Sequence, residues 1–112
     1  MKMDKDTQGK LQELQMAEQG LQNILLQKQA FQMELNETES AIEETKKADD
    51  DIFKIIGNIM IKAKKEEIVT ELEEKKKIFA LRIKTLENQE KMFAERFETL
   101  KESIEQEFKK QK

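Results

Sequence analysis

Carboxylates are the side chains of this sequence best suited to acid–base chemistry, and two adjacent pairs stand out, Glu43-Glu44 and Glu73-Glu74. Two carboxylates in one cleft can act as general acid and general base. Both pairs lie in charge-rich stretches typical of solvated helix faces, and two packed helices leave no pocket around them. The chain has no Cys and no His, which excludes thiolate and imidazole chemistry and the usual zinc sites. We predict no catalytic residue, no metal and no cofactor.

Three basic clusters are the candidates for contacts with nucleic-acid phosphates: Lys46-Lys47, Lys62-Ala63-Lys64-Lys65 and Lys75-Lys76-Lys77. Acidic residues neighbour each cluster, and the formal net charge of the chain is −3. A nucleic-acid surface would instead concentrate positive charge on one face. The clusters are therefore interpreted as solvated helix faces, and no nucleic-acid partner is expected.

Apolar runs are short throughout the sequence. The longest, residues 78–81, is far below the roughly 20 residues that a membrane-spanning helix needs. The first residues, Met1 to Asp6, are not followed by the apolar stretch of a signal peptide. We therefore expect no membrane partner and a cytoplasmic protein.

The composition and the apolar spacing favour two long helices. The chain has no proline, which costs roughly 3 kcal/mol in a helix interior, and a seven-residue apolar repeat predicts a left-handed coiled coil. In the first helix the repeat comprises Leu14, Leu21, Lys28, Leu35 and Ile42 with Ala17, Ile24, Phe31, Thr38 and Thr45. In the second it comprises Leu72, Phe79, Leu86, Phe93 and Leu100 with Val69, Lys76, Ile83, Glu90, Phe97 and Ile104. Spacing also predicts an ion pair between Glu71 and Lys75 along the second helix.

Between the two helices the pattern changes from helical to β. Asp49-Asp50-Asp51 is a poor helix interior, and the isoleucine-rich stretch that follows is divided by Gly57-Asn58. Glycine at the first central position of a two-residue loop fits a type II′ hairpin turn, which would pair Ile56 with Ile59 and Ile55 with Met60. The alternative is a buried helical stretch that tolerates Gly57.

These patterns define a mainly α fold, an antiparallel two-helix coiled coil with a β-hairpin between the helices. We predict a single domain over residues 1–112, with helix 1 at 5–47, the hairpin at 51–63 and helix 2 at 65–110. Both faces of the hairpin are apolar, and an isolated hairpin is marginally stable in water. One end of a thin coiled coil covers only one face, so the hairpin is predicted to be an oligomer interface. Its interface residues are Ile52, Phe53, Ile55, Ile56, Gly57, Ile59, Met60 and Ile61.

The opposite end of the coiled coil, which carries both termini and is called the tip here, is the predicted binding site for other proteins. The alternative interpretation is that four of its apolar residues are ordinary seam residues pointing inward: Leu14, Phe97, Leu100 and Ile104. Phe108 and the methionines lie off the repeat, and flexible methionine favours promiscuous binding surfaces. The candidate substrate-binding residues are Met3, Leu11, Leu14, Met16, Phe97, Leu100, Ile104 and Phe108.

The ordered set of motifs resembles the prefoldin family, and specifically its archaeal β-class subunits. The resemblance covers about residues 20–95. It is carried by Gln27-Lys28-Gln29, Asn36-Glu37-Thr38, Asp49-Asp50, Phe53-Lys54, Gly57-Asn58-Ile59, Leu72-Glu73-Glu74-Lys75, Leu81-Arg82 and residues 85–90. Phe53 departs from the tyrosine that the family commonly carries there, which loses a hydroxyl and little else.

The resemblance implies a hexamer of two α and four β subunits, whose hairpins join into a β-barrel platform. It also implies ATP-independent capture of unfolded client proteins at the tips and their transfer to a group II chaperonin. The partners it predicts are thus a prefoldin α subunit, unfolded clients and the chaperonin. The alternative is a structural or adaptor coiled coil that binds one folded partner.

Overall fold

The computed structural model describes residues 5–49 and 51–110, which form two helices and two strands. Helix α1 spans Lys5–Lys47, strands β1 and β2 span Ile52–Ile56 and Ile59–Ala63, and helix α2 spans Lys65–Lys110. The strands pair antiparallel, and the predicted fold class is confirmed. No helix within residues 5–49 and 51–110 has an apolar stretch long enough to cross a membrane. The predicted Met3 lies outside the described residues.

The buried side chains follow the seven-residue repeat. Its buried members are Ala17, Ile24, Thr38, Ile42, Ile83, Leu86, Leu100 and Ile104. The remaining repeat positions are half-buried, with the exception of Phe93, which is exposed. Thr38 tolerates burial because its hydroxyl donates a 2.7 Å hydrogen bond to the carbonyl of Glu34 one turn earlier. A narrow apolar seam, rather than a thick core, therefore stabilises the helix pair.

Contacts divide the chain into two compact units. The first, the terminal unit, contains the described residues up to Lys28 and from Thr85 onward. Within it Lys28, an interruption of the α1 repeat, forms an ion pair of 3.0 Å with Glu90, an interruption of the α2 repeat. Both side chains are about one third exposed, so the charges remain partly hydrated while they pair.

The second unit, the hairpin unit, contains Gln29–Lys84. Here the rings of Phe31 and Phe79 lie 6.1 Å apart, and the Arg82 guanidinium lies 5.3 Å from the Phe31 ring centre. These distances fit an aromatic pair capped by a cation–π contact. Lys76, the third charged interruption of the repeat, lies 3.9 Å from a carboxylate oxygen of Glu39.

The hairpin turn has the predicted geometry. Gly57 has a φ of +60° and no described non-glycine residue has a positive φ, so the second turn residue, Asn58, has a negative one. This combination is that of a type II′ turn. The register pairs Ile56 with Ile59 and Ile55 with Met60, as predicted from the position of the turn.

Candidate interaction surfaces

The two faces of the hairpin follow from its register, because cross-strand partners project to the same side of the sheet. One face, the inner face, carries the pairs Ile52–Ala63, Lys54–Ile61 and Ile56–Ile59. The other, the outer face, carries Phe53–Lys62 and Ile55–Met60. Ile52, Lys54 and Ala63 are half-buried, and all three lie on the inner face. The hairpin unit thus covers only the base of one hairpin face, as predicted.

The rest of the hairpin exposes an unusual amount of apolar surface. Six large apolar side chains are between 46% and 69% exposed: Phe53, Ile55, Ile56, Ile59, Met60 and Ile61. They occupy both faces of a two-stranded sheet whose outer edges have no strand neighbour within the described residues. Clusters of exposed apolar side chains of this kind are typical of protein–protein interfaces. These six residues all belong to the predicted oligomer interface, together with half-buried Ile52 and the turn glycine.

The predicted tip residues separate into buried and exposed groups. Leu100 and Ile104 are buried in the seam, Leu100 with only 4% of its surface exposed. Leu11, Leu14 and Phe97 are half-buried. Met16 and Phe108 are exposed. A partner can therefore reach Met16 and Phe108 directly, whereas contact with Ile104 requires the end of the seam to open.

An open groove in the terminal unit brings two predicted residues, Met16 and Leu100, together with residues that the sequence did not single out as a site. The groove has a volume of about 560 Å³, and its apolar lining is Met16, Ala17, Gly20, Phe93 and Leu100. Glu13 and Arg96 form an ion pair at the same groove.

Gly20 shapes this groove. A Cβ atom at this position would lie 2.6 Å from Cε1 of Phe93, so the ring occupies space that any other residue would fill. The Phe93 ring leans over the glycine and stays 37% exposed instead of entering the seam. A glycine beside the seam, opposite a large repeat residue, was the available signal for this groove.

Comparisons with known proteins agree with this architecture. The model of the family described as "Prefoldin subunit" matches residues 7–111. The prefoldin subunit beta of Archaeoglobus fulgidus is 43% identical over 76 residues, which are 66% of each chain. That of Pyrobaculum calidifontis is 38% identical over 96 residues, 84% of this chain and 77% of the relative. The crystal structure of the prefoldin beta subunit from Thermococcus strain KS-1 has a TM-score of 0.86 and 33% identity, and the match covers 94% of both chains.

Two long helices joined by an antiparallel hairpin with exposed apolar side chains define a prefoldin-like fold, and the chain belongs to the prefoldin family of chaperone subunits. Within that family its sequence and fold are similar to the archaeal beta subunits. The resemblance stated from the sequence motifs is therefore confirmed.

Proposed function

We propose that the chain is a β-type subunit of a cytoplasmic, ATP-independent chaperone that captures unfolded proteins at its tips. It assembles with a prefoldin α subunit, two α with four β, and passes clients to a group II chaperonin. The exposed hairpin carries this proposal, because both of its faces are apolar while its own unit covers only the base of one. In this function the chain has no catalytic role.

Assembly through the hairpin would remove the exposed apolar surface from water. Burying one Ile or Phe side chain contributes about 1.5–3 kcal/mol, so the six exposed side chains together offer a substantial driving force. Open strand edges offer backbone hydrogen bonds to a neighbouring hairpin as well. A hairpin interface thus supplies both apolar contact and strand pairing.

Client capture at the tips requires weak contacts that act together. Met16 and Phe108 are exposed, and each of these side chains alone would bind an unfolded segment loosely. Several tips joined to one platform raise the effective concentration of binding sites, so weak contacts add up to useful avidity. Release then needs a competing partner and no nucleotide.

The assembly step is tested by mixing the chain with a prefoldin α subunit and measuring particle mass by light scattering. The proposal expects a large hetero-oligomer from the wild-type chain and loss of that particle in the double variant Ile56→Lys/Ile59→Lys. Ile56 and Ile59 are both more than half exposed, so the substitutions remove apolar surface without disrupting a buried core. A small particle in both mixtures would favour the adaptor coiled coil instead.

The chaperone step is tested by suppression of the aggregation of a denatured protein in the absence of ATP. Deletion of residues 1–10 and 105–112 should abolish the suppression of aggregation. The assembled particle should still form, with the mass expected for the shortened subunits. Unchanged suppression by this deletion variant would remove the tips from the proposal.

A matched pair of methionines sharpens the location of the client site. Met16 in the terminal unit and Met33 in the hairpin unit are both on α1 and are 69% and 64% exposed. Met16→Gln should weaken suppression of aggregation, whereas Met33→Gln should leave it unchanged. Equal effects of the two substitutions would contradict a client site at the tip.

A further inference from the structure

The hairpin is attached to α2 by a very short covalent link. Strand β2 ends at Ala63 and helix α2 begins at Lys65, so Lys64 is the only residue between them. The link from α1 to β1 is longer, since α1 ends at Lys47 and β1 begins at Ile52. Because the second link is longer, the backbone alone would let the hairpin pivot at Lys64 and change its angle to α2.

A side-chain contact from the other strand, β1, restrains movement about this joint. The Lys54 ammonium donates hydrogen bonds to both carboxylate oxygens of Glu71, at 3.0 Å to Oε1 and 2.8 Å to Oε2. Lys54 lies on β1 and Glu71 lies in the second turn of α2. Strand β2 is thus joined to α2 through the backbone, and strand β1 is joined to it through an ion pair.

Lys54 is also the half-buried residue of the inner face that lies farthest from the base of the hairpin. The Ile52–Ala63 pair is half-buried at the base of the hairpin, and Lys54 lies two residues farther along β1, about 7 Å away at the rise of a strand. Its cross-strand partner Ile61 and the final pair, Ile56 and Ile59, are exposed. A contact at this distance from the joint resists tilting better than one at the base.

A second lysine holds the other side of the joint. The Lys65 ammonium donates a 3.0 Å hydrogen bond to the carbonyl of Ala48, just after α1 ends. A cation there also interacts favourably with the negative end of the α1 dipole. The start of α2 is thereby tied to the end of α1, so the Lys54–Glu71 pair acts against a fixed helix pair.

We propose that the Lys54–Glu71 ion pair sets the angle between the hairpin and α2, with both residues acting as positioning residues. The part of this inference that concerns assembly rests on the proposed function. If hairpins form the platform, the same angle sets the direction in which each coiled coil leaves it. Loss of the pair would then widen the spread of those directions without removing the interface itself.

The test measures the angle in the full-length chain by pulsed electron paramagnetic resonance. The sequence has no cysteine, so nitroxide labels attached to Asn58→Cys at the turn and Lys77→Cys on α2 would be unique. We expect a main distance maximum in the otherwise unchanged chain, and a broader distribution with that maximum lowered on Lys54→Met or Glu71→Gln. The swapped variant Lys54→Glu/Glu71→Lys should restore it.

Lys62→Met is the matched control. Lys62 lies on the outer face of the same hairpin, and its ammonium is 3.6 Å from Asp51, which precedes β1 rather than belonging to a helix. This substitution should leave the distance distribution unchanged. Helix content and Tm should stay the same in all variants, because exposed ion pairs contribute little to the free energy of unfolding.

The salt dependence of the distance distribution provides an independent test in the labelled chain that keeps Lys54 and Glu71. At about 1 M salt the screening length falls to about 3 Å, so the exposed pair weakens and the distribution should broaden as in Lys54→Met. Equal widths in the unsubstituted, Lys54→Met and Glu71→Gln chains would overturn the inference even if assembly is intact. Failure of the unsubstituted chain to assemble would contradict the proposed function alone, since the distance is measured in the single chain.

Discussion

Substitution of Gly20 by alanine tests the groove geometry, because it adds one methyl group where the Phe93 ring lies. The added Cβ would be 2.6 Å from Cε1 of Phe93, far inside ordinary van der Waals contact, so the ring must move. Gly9, on the same helix, is the matched control. A Cβ added there meets no atom within 4 Å.

Two opposing terms set the change in the free energy of unfolding on Gly20→Ala. Replacing glycine by alanine inside a helix stabilises it by about 1 kcal/mol, and Gly9→Ala should show up to that gain. At Gly20 the same gain is offset by lost burial of Phe93, which is 37% exposed. If the ring leaves the groove, roughly two thirds of the 1.5–3 kcal/mol for a buried phenylalanine is lost, or about 1–2 kcal/mol. Gly20→Ala should therefore be neutral to about 1 kcal/mol destabilising.

The assay is urea denaturation followed by circular dichroism, with all variants at one chain concentration because association shifts apparent stability. A double-mutant cycle isolates the contact. In the Phe93→Ala background the ring is absent, and Gly20→Ala should recover the stabilisation of about 1 kcal/mol. The reasoning is refuted if Gly20→Ala stabilises the unaltered chain as much as Gly9→Ala does.

Three further substitutions probe the seam and the turn. Lys28→Met alone should lower the Tm because Glu90 then stays unpaired beside the seam. In chemical denaturation, the free energy of unfolding of Lys28→Met/Glu90→Leu should exceed that of the single variant by about 1 kcal/mol or more. Equal stability of the two variants would contradict a paired interaction. Gly57→Val should destabilise the hairpin by about 1–3 kcal/mol, since a β-branched residue is strained at a φ of +60°, and an unchanged melting temperature of the assembled particle would argue against the turn geometry. Thr38→Val should be neutral or slightly stabilising in thermal melts, because Glu34 can keep its carbonyl hydrogen bond within the helix; a loss above about 1 kcal/mol would show that the hydroxyl contributes more than a local bond.

Much of the fold could be predicted because its determinants are local. Absence of proline and a seven-residue apolar repeat require only the order of residues along the chain, and the buried seam follows that repeat. The turn was equally local, since Gly57-Asn58 between isoleucine-rich strands specifies both turn type and register. The apolar content of both hairpin faces follows from that register.

The candidate sites were less predictable because they depend on which side chains meet across the structure. Phe93 fits the repeat as well as Leu86 does, yet Leu86 is buried and Phe93 is exposed. The difference arises from Gly20 on the other helix, which the repeat of α2 alone does not contain. Repeat membership likewise does not show that Leu100 is deeply buried while Leu14 is half-buried.

The polar contacts show the same limit of prediction from sequence. Spacing along α2 pairs Glu71 with Lys75, whereas in the structure both Glu71 oxygens bind Lys54, 17 residues earlier in the chain. Lys28 and Glu90 each interrupt one repeat, and only their approach to 3.0 Å makes them partners.

By itself the sequence determined the helices, the hairpin, its register and the family, because backbone propensity and residue spacing act over a few neighbouring residues. The tertiary structure alone decided which apolar residues remain exposed, where the groove lies and which charges pair. Those outcomes depend on distances between residues far apart in the chain, which are set only when the helices pack.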